Sequence, residues 1–335
     1  MKHANVALFV PDAGCKHRCI YCNQRTISGE TKRITARDVE NAAHNAIQNG
    51  VQAENAEIAF FGGSFTAIER SYMLELLDAA RPFIENGFFH GIRISTRPDA
   101  INKETLSLLK AYHVTAIELG CQSMDDRVLR LCARGHTPAQ VEEACRLVQA
   151  YGFELGVQMM TGLPGDTDEG CIETAKKLIA LHPVTVRIYP TLVLEGTPLA
   201  SLWRSGAYTP QTLDEAVNLC SRLLELFQNA GVRVIRLGLH SGGGVEEGFL
   251  AGPNHPAFRE KCEAAIYRNR LEKLLEKQSK GSYTVLVGER FLSQAAGQRK
   301  ENLLHFDAMG YQITLKPDAL LQQYEIEIQG NSLCF

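Results

Sequence analysis

Long apolar runs are missing from this 335-residue chain, although 45% of its residues are hydrophobic. No stretch approaches the roughly 18 to 20 apolar residues that a membrane-spanning helix requires. A secretory signal is missing as well, because the apolar run from Val6 to Val10 is short and Pro11 interrupts it. We therefore expect a soluble protein of the cytoplasm that does not enter a membrane.

Charge of one sign is not concentrated anywhere along the chain. The net charge is -3, and no block of five or six like charges occurs. A basic surface of the usual polyanion-binding kind is therefore not indicated, and the composition leaves nucleic acid open without favouring it. Low-complexity tracts and heptad arrays are also lacking, so the chain reads as an ordinary globular protein.

Ten cysteines are scattered through the chain. Without a secretory signal, this number indicates a reducing compartment, where thiols serve as ligands or fill the core rather than form disulfides.

Short apolar or β-branched runs alternate with longer stretches of helical period as far as about residue 237. Two helix starts have capping-box patterns, Thr35 with Asp38 and Thr137 with Gln140. Such alternation predicts parallel strands joined by right-handed helical crossovers. The predicted strands are 5–10, 57–61, 92–95, 116–120, 153–160, 184–189 and 232–237.

The predicted fold is therefore an α/β partial parallel (β/α)6 TIM-like barrel, followed by a small α+β extension. We place the domains at 1–240 and 241–335, with the run from His240 to Gly244 as a hinge. In parallel α/β folds, functional groups lie just after the carboxyl ends of the strands. Cysteine, glycine, proline and polar residues follow the first five predicted strands, and we expect them to form a single site. They are the cysteine loop, 62–64, 96–98, 122–123 and 161–165.

The stretch GCKHRCIYCNQ, residues 14–24, follows the first strand and contains Cys15, Cys19 and Cys22 with the spacing C-x3-C-x2-C. These thiols could be core residues, or they could bind zinc together with His17. Alternatively, they could hold a four-iron cluster, in which three cysteine ligands leave one iron open to a substrate or cofactor. The hydrophilic residues between the cysteines argue against core thiols. A zinc site is disfavoured because its four ligands would come from one short loop, with no second loop for the metal to hold, so the cluster is favoured.

This motif, with the aromatic Tyr21 before its last cysteine, resembles the radical S-adenosylmethionine (SAM) superfamily. The resemblance implies that SAM binds the open iron through its amino and carboxylate groups. It also implies that an electron from the cluster cleaves SAM to give a 5'-deoxyadenosyl radical. An external one-electron donor of the flavodoxin or ferredoxin type is then required.

Other strand ends extend the resemblance. Gly62, Gly63 and Ser64 occupy the place of the superfamily's double-glycine motif, which contacts the methionine part of SAM. Gln122 and Arg134 match cofactor-contacting positions of oxygen-independent coproporphyrinogen oxidases, whereas Ser95 and Gln158 stand where those enzymes carry a glutamate and an aspartate. The resemblance thus implies Cys15, Cys19 and Cys22 as metal ligands and no particular catalytic residue. The implied cofactor-binding residues are Tyr21, Gly62, Gly63, Ser64, Ser95, Gln122, Arg134 and Gln158.

The chain resembles more closely the radical SAM region of the Elongator catalytic subunit and its bacterial and archaeal relatives. The segments that carry this likeness are FFGGSFTAIE, STRPD, IELGCQSMDDRVL, RGHT, MMTGLPGDT and RIYPTLVLEGTPLASLWRSGAYTP. Arg187 stands where that family usually has lysine, and no acetyl-CoA loop is recognisable after residue 240. We expect a radical SAM enzyme with a substrate related to tRNA or RNA. The alternatives are a small-molecule enzyme acting on a tetrapyrrole and a zinc-stabilised binding module.

Several single residues permit both a functional and a structural interpretation. Arg97, like Arg134, could bind a carboxylate, although family position ranks Arg134 higher. His136 is expected at a turn or cap, and Cys121 is expected in the core. Tyr189 and Tyr208 border the cavity in this interpretation, where a tyrosine usually packs with its hydroxyl in water.

Overall fold

The computed structural model describes residues 4–10, 15, 18–24, 26, 32–239 and 245–329. His17 and the predicted hinge at 240–244 therefore lie outside the described residues. The strands in this part of the chain are β1 Ala4–Val10, β2 Ala56–Gly62, β3 Gly91–Thr96, β4 Val114–Gln122, β5 Glu154–Thr161, β6 Thr185–Pro190, β7 Val193–Leu194, β8 Arg233–Leu237, β9 Phe249–Ala251, β10 Gly281–Gly288, β11 Tyr311–Asp318 and β12 Ile326–Gln329.

The helices alternate with these strands. They are α1 Ala36–Gln48, α2 Arg70–Glu85, α3 Lys103–Ala111, α4 Asp126–Leu131, α5 Pro138–Ala150, α6 Asp168–Ile179, α7 Pro198–Arg204, α8 Leu213–Asn229, α9 Val245–Gly248, α10 Phe258–Leu275, α11 Leu292–Ala296 and α12 Glu301–Ala308. Both predicted capping boxes are present, at the starts of α1 and α5. The side-chain oxygens there satisfy backbone N–H groups that have no partner within the helix.

Seven parallel strands form the main sheet in the order β1-β2-β3-β4-β5-β6-β8. All seven predicted strands are present, and the sheet is a curled half-barrel, so the predicted partial barrel is confirmed with one strand more than six. The order follows the chain, as expected for successive right-handed crossovers. The carboxyl ends of the strands consequently share one edge of the sheet.

A second, three-stranded sheet has the order β11-β10-β12, with β10 parallel to β11 and antiparallel to β12. This sheet and α10 to α12 form the predicted small α+β extension. Two compact units are distinguished, one from Met1–Gln211 with Phe227–Pro253 and the other from Thr212–Leu226 with Asn254–Phe335. The domain boundary near residue 240 stays a prediction. Among the described residues, no helix has the length and apolarity to cross a membrane.

One face of the main sheet carries buried charges, which we call the polar face. Arg93 on β3 contacts three glutamates, through Nε to Glu57 Oε2 at 2.6 Å, Nη2 to Glu154 Oε1 at 2.8 Å and Nη1 to Glu118 Oε1 at 3.6 Å. Glu118 in turn accepts two hydrogen bonds from Arg187 on β6, at 2.5 and 2.9 Å. Buried charges require such pairing, because an unpaired ion in a protein interior is strongly destabilising. The polar face is therefore held by one connected network from β2 to β6.

This network generates a stability prediction. Glu57 and Glu154 both pair with Arg93, but their side chains are 3% and 31% exposed, respectively. Glu57→Gln removes a fully buried partner, so the free energy of unfolding should fall by about 3 kcal/mol. Glu154→Gln is the matched control and should cost about 1 kcal/mol or less, because water screens that pair. Urea unfolding measures both changes, and equal losses would contradict the role of burial.

Candidate functional site

The cysteine loop is anchored by segments from the middle of the chain. The Ile20 N–H donates to the Cys132 carbonyl at 3.2 Å, and the Leu199 N–H donates to the Ile20 carbonyl at 2.9 Å. Asn23 Nδ2 donates to the Glu195 carbonyl at 3.0 Å. The loop also enters an apolar cluster that contains Cys19, Tyr21, Val128, Cys132, Leu163, Val193, Leu199, Ala200 and Tyr208. The TLVLEGTPLASLWRSGAYTP part of the sequence thus has a clear structural task, because it packs against the cysteine loop.

The end of β2 lies against the end of β1, where the cysteine loop begins. Gly62 has φ +110°, and a Cβ there would lie 2.9 Å from the Val10 carbonyl oxygen. The Gly63 N–H donates to the same oxygen at 3.0 Å. Because a side chain would separate the two strand ends, this close approach requires glycine at position 62. Next along the chain, Ser64 Oγ lies 3.6 Å from Cys15 Sγ.

Two arginines lie against the sulfur of Cys19. Arg134 Nη1 donates to Cys19 Sγ at 3.2 Å, and Arg97 Nη1 lies 3.9 Å from the same atom. Both side chains are buried, with residue exposures of 7% for Arg134 and 3% for Arg97. Arg97 also donates to the Arg134 carbonyl. Although burial alone would lower the pKa of Arg134, neighbouring Tyr21 and Cys19 raise it above its ordinary value, so Arg134 stays charged.

The end of β4 is shaped to accommodate Arg134 and Gln122. Arg134 Nη2 donates to the Gly120 carbonyl at 2.5 Å. A Cβ at Gly120 would lie 2.7 Å from Arg134 Nη2 and 3.0 Å from Gln122 Nε2, so glycine leaves room for both side chains. Gln122 itself has φ +69°, a strained conformation for a residue other than glycine. Such strain is found where a site holds a side chain in a required direction.

Four buried polar atoms near Cys19 or at the end of β4 have no hydrogen-bond partner within the described part of the chain. They are Tyr21 Oη, Arg134 Nε, Gln122 Oε1 and His136 Nδ1. Such groups are costly to bury unless something satisfies them, and they therefore fit a polar ligand next to the cysteine sulfurs. Thiolates are the usual ligands of iron-sulfur clusters. The donor set and the unsatisfied polar atoms together suit a cluster with a polar cofactor beside it.

The other two cysteines make hydrogen-bond contacts with neutral side chains. Gln24 Nε2 lies 3.3 Å from Cys22 Sγ, and Ser64 is the neighbour of Cys15. Burial, followed by the effect of Cys19, raises the pKa of the Cys22 thiol to about 12. A search of the described residues finds no group of three His, Cys, Asp or Glu side chains already placed around a metal position. Ligation by the three cysteines stays a prediction.

Ser95 and Gln158 are brought together on the polar face. Gln158 Nε2 donates to Ser95 Oγ at 3.1 Å and to Glu118 Oε2 at 3.0 Å. The carboxylate of Glu118, on β4, therefore lies beside Ser95 and Gln158. These are the two positions at which the coproporphyrinogen oxidases carry acidic residues. Glu118 is held from the other side by Arg187, whose guanidinium lies 4.6 Å from the centre of the Phe61 ring.

Sequence reasoning missed Glu118 and did not foresee the contact of Arg97 with Cys19. In the sequence, Glu118 is recognisable only as an acidic residue within a predicted strand. Its partners Gln158 and Arg187 are 40 and 69 positions away, and Arg93 lies on a different strand. Tyr208, expected near the cavity, donates to the Gly162 carbonyl at 2.6 Å and packs in the apolar cluster of the loop. Cys121 is fully buried, as expected for a core residue.

His136 is buried between Arg134 and the start of α5. Its Nε2 lies 3.2 Å from the Cys121 carbonyl oxygen, so this nitrogen carries the proton of a neutral ring. Burial, followed by the charge of Arg134, lowers the pKa of His136 from 6.5 to about 3. The ring therefore remains neutral at physiological pH and supports the β4 end.

The family model of the radical SAM superfamily matches residues 10–178, which is half of the chain, and that of the radical SAM C-terminal domain matches residues 183–268. The chain belongs to the radical SAM superfamily. It is accordingly a radical SAM enzyme, and the cofactors of this superfamily are a 4Fe-4S cluster and SAM. Neither a zinc-stabilised binding module nor a tetrapyrrole enzyme is favoured by these findings.

Several curated relatives are named as tRNA-modifying enzymes or as Elongator subunits. The tRNA uridine(34) acetyltransferase of Dehalococcoides mccartyi is 27% identical over 239 residues, which cover 61% of this chain and 52% of the relative. Human Elongator complex protein 3 is 33% identical over 199 residues, which cover 53% of this chain and 36% of the relative. The chain thus spans about half of the first relative's length and about a third of the second's.

A solved structure confirms the fold. The archaeal Elp3 of Methanocaldococcus infernus, solved with an N-terminal deletion, superposes with a TM-score of 0.65 at 21% sequence identity. The superposition covers 81% of this chain and 64% of the archaeal one.

The low pKa of His136 predicts a pH-dependent loss of stability. The unfolded chain binds a proton below pH 6.5, whereas the folded ring does so only near pH 3. Stability from this group is therefore complete above pH 6.5 and falls as the pH drops through that window, by about 1.4 kcal/mol at about pH 5.5.

The measurement is urea unfolding at about pH 7.5 and about pH 5.5. His136→Gln, which keeps a donor but cannot be protonated, should lose less stability between the two values than the unchanged chain. His90→Gln, at an exposed histidine, is the control and should behave like the unchanged chain. Identical pH dependence in all three proteins would show that His136 titrates normally.

Proposed function

We propose that Cys15, Cys19 and Cys22 hold the 4Fe-4S cluster, leaving one iron open, and that SAM binds beside it. The observation that carries this proposal is the set of unsatisfied buried atoms on Tyr21 and Arg134 next to Cys19. Held by these cysteines, the cluster would supply the electron for reductive cleavage of SAM, which is the radical-generating chemistry of this superfamily. The remaining task of the protein is to position the reactants and exclude water.

Residues at the β2 end and Arg134 would position SAM. Gly62 and Gly63 leave the backbone at the β2 end open to close approach by the methionine part of SAM, and Ser64 lies next to Cys15. Arg134 is charged and fixed, which suits a carboxylate of the cofactor.

The remaining predicted contacts are polar and sit at other strand ends. Gln122 presents an unsatisfied oxygen. Ser95 and Gln158, together with Glu118, offer hydroxyl, amide and carboxylate groups of the kind that bind sugar hydroxyls.

The substrate that best agrees with the comparisons is tRNA or a related RNA. Support comes from the alignment with the tRNA uridine(34) acetyltransferase, which extends over 61% of this chain. We further propose a cytoplasmic location and an external electron donor of the flavodoxin or ferredoxin type.

The cluster assignment is tested with anaerobically purified and reconstituted protein. The unchanged chain should be brown, bind about four irons, and release 5'-deoxyadenosine when reduced in the presence of SAM. Cys15→Ala, Cys19→Ala and Cys22→Ala should each lose most of the iron and the product. Cys145→Ala, at a buried cysteine of α5, is the control and should keep both. A colourless protein with one zinc would contradict the proposal.

The substrate class is tested by binding of bulk tRNA at several salt concentrations. Because neutralised phosphates release counterions, binding to RNA should weaken steeply and linearly on a log-log plot against salt. Titration with free porphyrins serves as the control ligand. Strong porphyrin binding without tRNA binding would favour a tetrapyrrole substrate instead.

A further inference from the structure

The three proposed ligand sulfurs differ in the charge of their surroundings. Cys15 and Cys22 contact the neutral side chains of Ser64 and Gln24, at 3.6 and 3.3 Å. Cys19 alone among them contacts guanidinium groups within the described residues, at 3.2 Å from Arg134 and 3.9 Å from Arg97. The charge of Arg134 also acts on Cys15 and Cys22, but the direct guanidinium contacts are made with the sulfur of Cys19.

We propose that Arg97 and Arg134 set the reduction potential of the cluster through the sulfur of Cys19, with Arg97 acting as a tuning residue that does not itself touch the reacting atoms. This inference rests on the proposed function, because it requires Cys19 to be a cluster ligand. It differs from the proposed role of Arg134 in binding SAM, since it concerns the cluster before SAM arrives.

Arg97 is fixed in place on every side. Its Nε donates to Asp99 Oδ1 at 2.9 Å, and its Nη2 lies 3.3 Å from Asp99 Oδ2. The same Nη2 donates to the carbonyl oxygen of Arg134, so the two arginines are held together. Because Arg97 is buried and hydrogen-bonded through several atoms, its side chain keeps its position when the charge of the cluster changes. Its effect on Cys19 is therefore built into the folded structure.

The expected direction follows from electrostatics. Reduction adds one negative charge to the cluster, and hydrogen bonds or positive charges at its sulfurs raise its potential. The effect is strong here because both guanidiniums are buried, where charges interact more strongly than in water. Asp99 opposes this effect, because its carboxylate partly neutralises Arg97. Removing the charge of Arg97 should lower the potential, and removing that of Asp99 should raise it.

The test is the midpoint potential of the reconstituted cluster, followed by electron paramagnetic resonance without SAM. Arg97→Gln should shift the potential to more negative values, and Arg97→Lys should shift it less, because lysine keeps the charge but loses the planar fork. Asp99→Asn should shift it in the opposite direction. Arg130→Gln is the control, since that side chain is 72% exposed and pairs with Asp126, and it should cause no shift.

The opposite signs separate electrostatic tuning from a merely structural role, which would move both variants the same way or not at all. If Arg97→Gln fails to retain iron, the midpoint potentials of Arg97→Lys and Asp99→Asn test the inference instead. Unchanged potentials, or shifts of the same sign in these two variants, would overturn the inference. If the inference is overturned but the unchanged chain still forms a cluster, the proposed function stands. If the unchanged chain gives no cluster signal, the proposed function itself is contradicted.

Discussion

Parallel strands place their carboxyl ends at one edge of a sheet, and every part of the site depends on this constraint. The order β1-β2-β3-β4-β5-β6-β8 repeats the order of the chain, so residues from separate crossovers meet after the strands end. The cysteine loop, the glycines at the end of β2 and the end of β4 come together because their strands belong to one parallel sheet and end at the same edge. Cys19 and Arg134, which are in contact there, are 115 positions apart in the sequence.

Two separate arrangements of buried charge serve the fold and the site. On the polar face, Arg93 and Arg187 are compensated by the three glutamates that they contact, so these ions fix the register of β2 to β6. Around Cys19, by contrast, the guanidinium of Arg134 donates to the Cys19 sulfur and to the Gly120 carbonyl, and its Nε has no hydrogen-bond partner among the described residues. A buried cation without a full complement of partners is expensive. A bound anionic ligand would stabilise the Arg134 guanidinium. The surroundings of Cys19, and not the paired charges of the polar face, are therefore where we place the function.

The sequence was sufficient for the parts of the fold that local patterns specify. All seven apolar runs are strands of the main sheet, and the Thr35 and Thr137 capping boxes start helices as predicted. The cysteine motif and the strand-end glycines were identifiable because their residue types are rare at those spacings. Arg97 and Glu118 were different, because their roles depend on which neighbours the strand register brings to them. The short β7 and β9, with two and three residues, lack any periodic signal and were not predicted.

The central claim is a cluster with three cysteine ligands and one iron open to SAM. Mössbauer spectroscopy of the iron-reconstituted, oxygen-free protein tests it most directly, with and without SAM. The account predicts that one iron of the cubane is distinct from the other three and that its signal alone changes when SAM is added. Four equivalent irons that do not respond to SAM would contradict it.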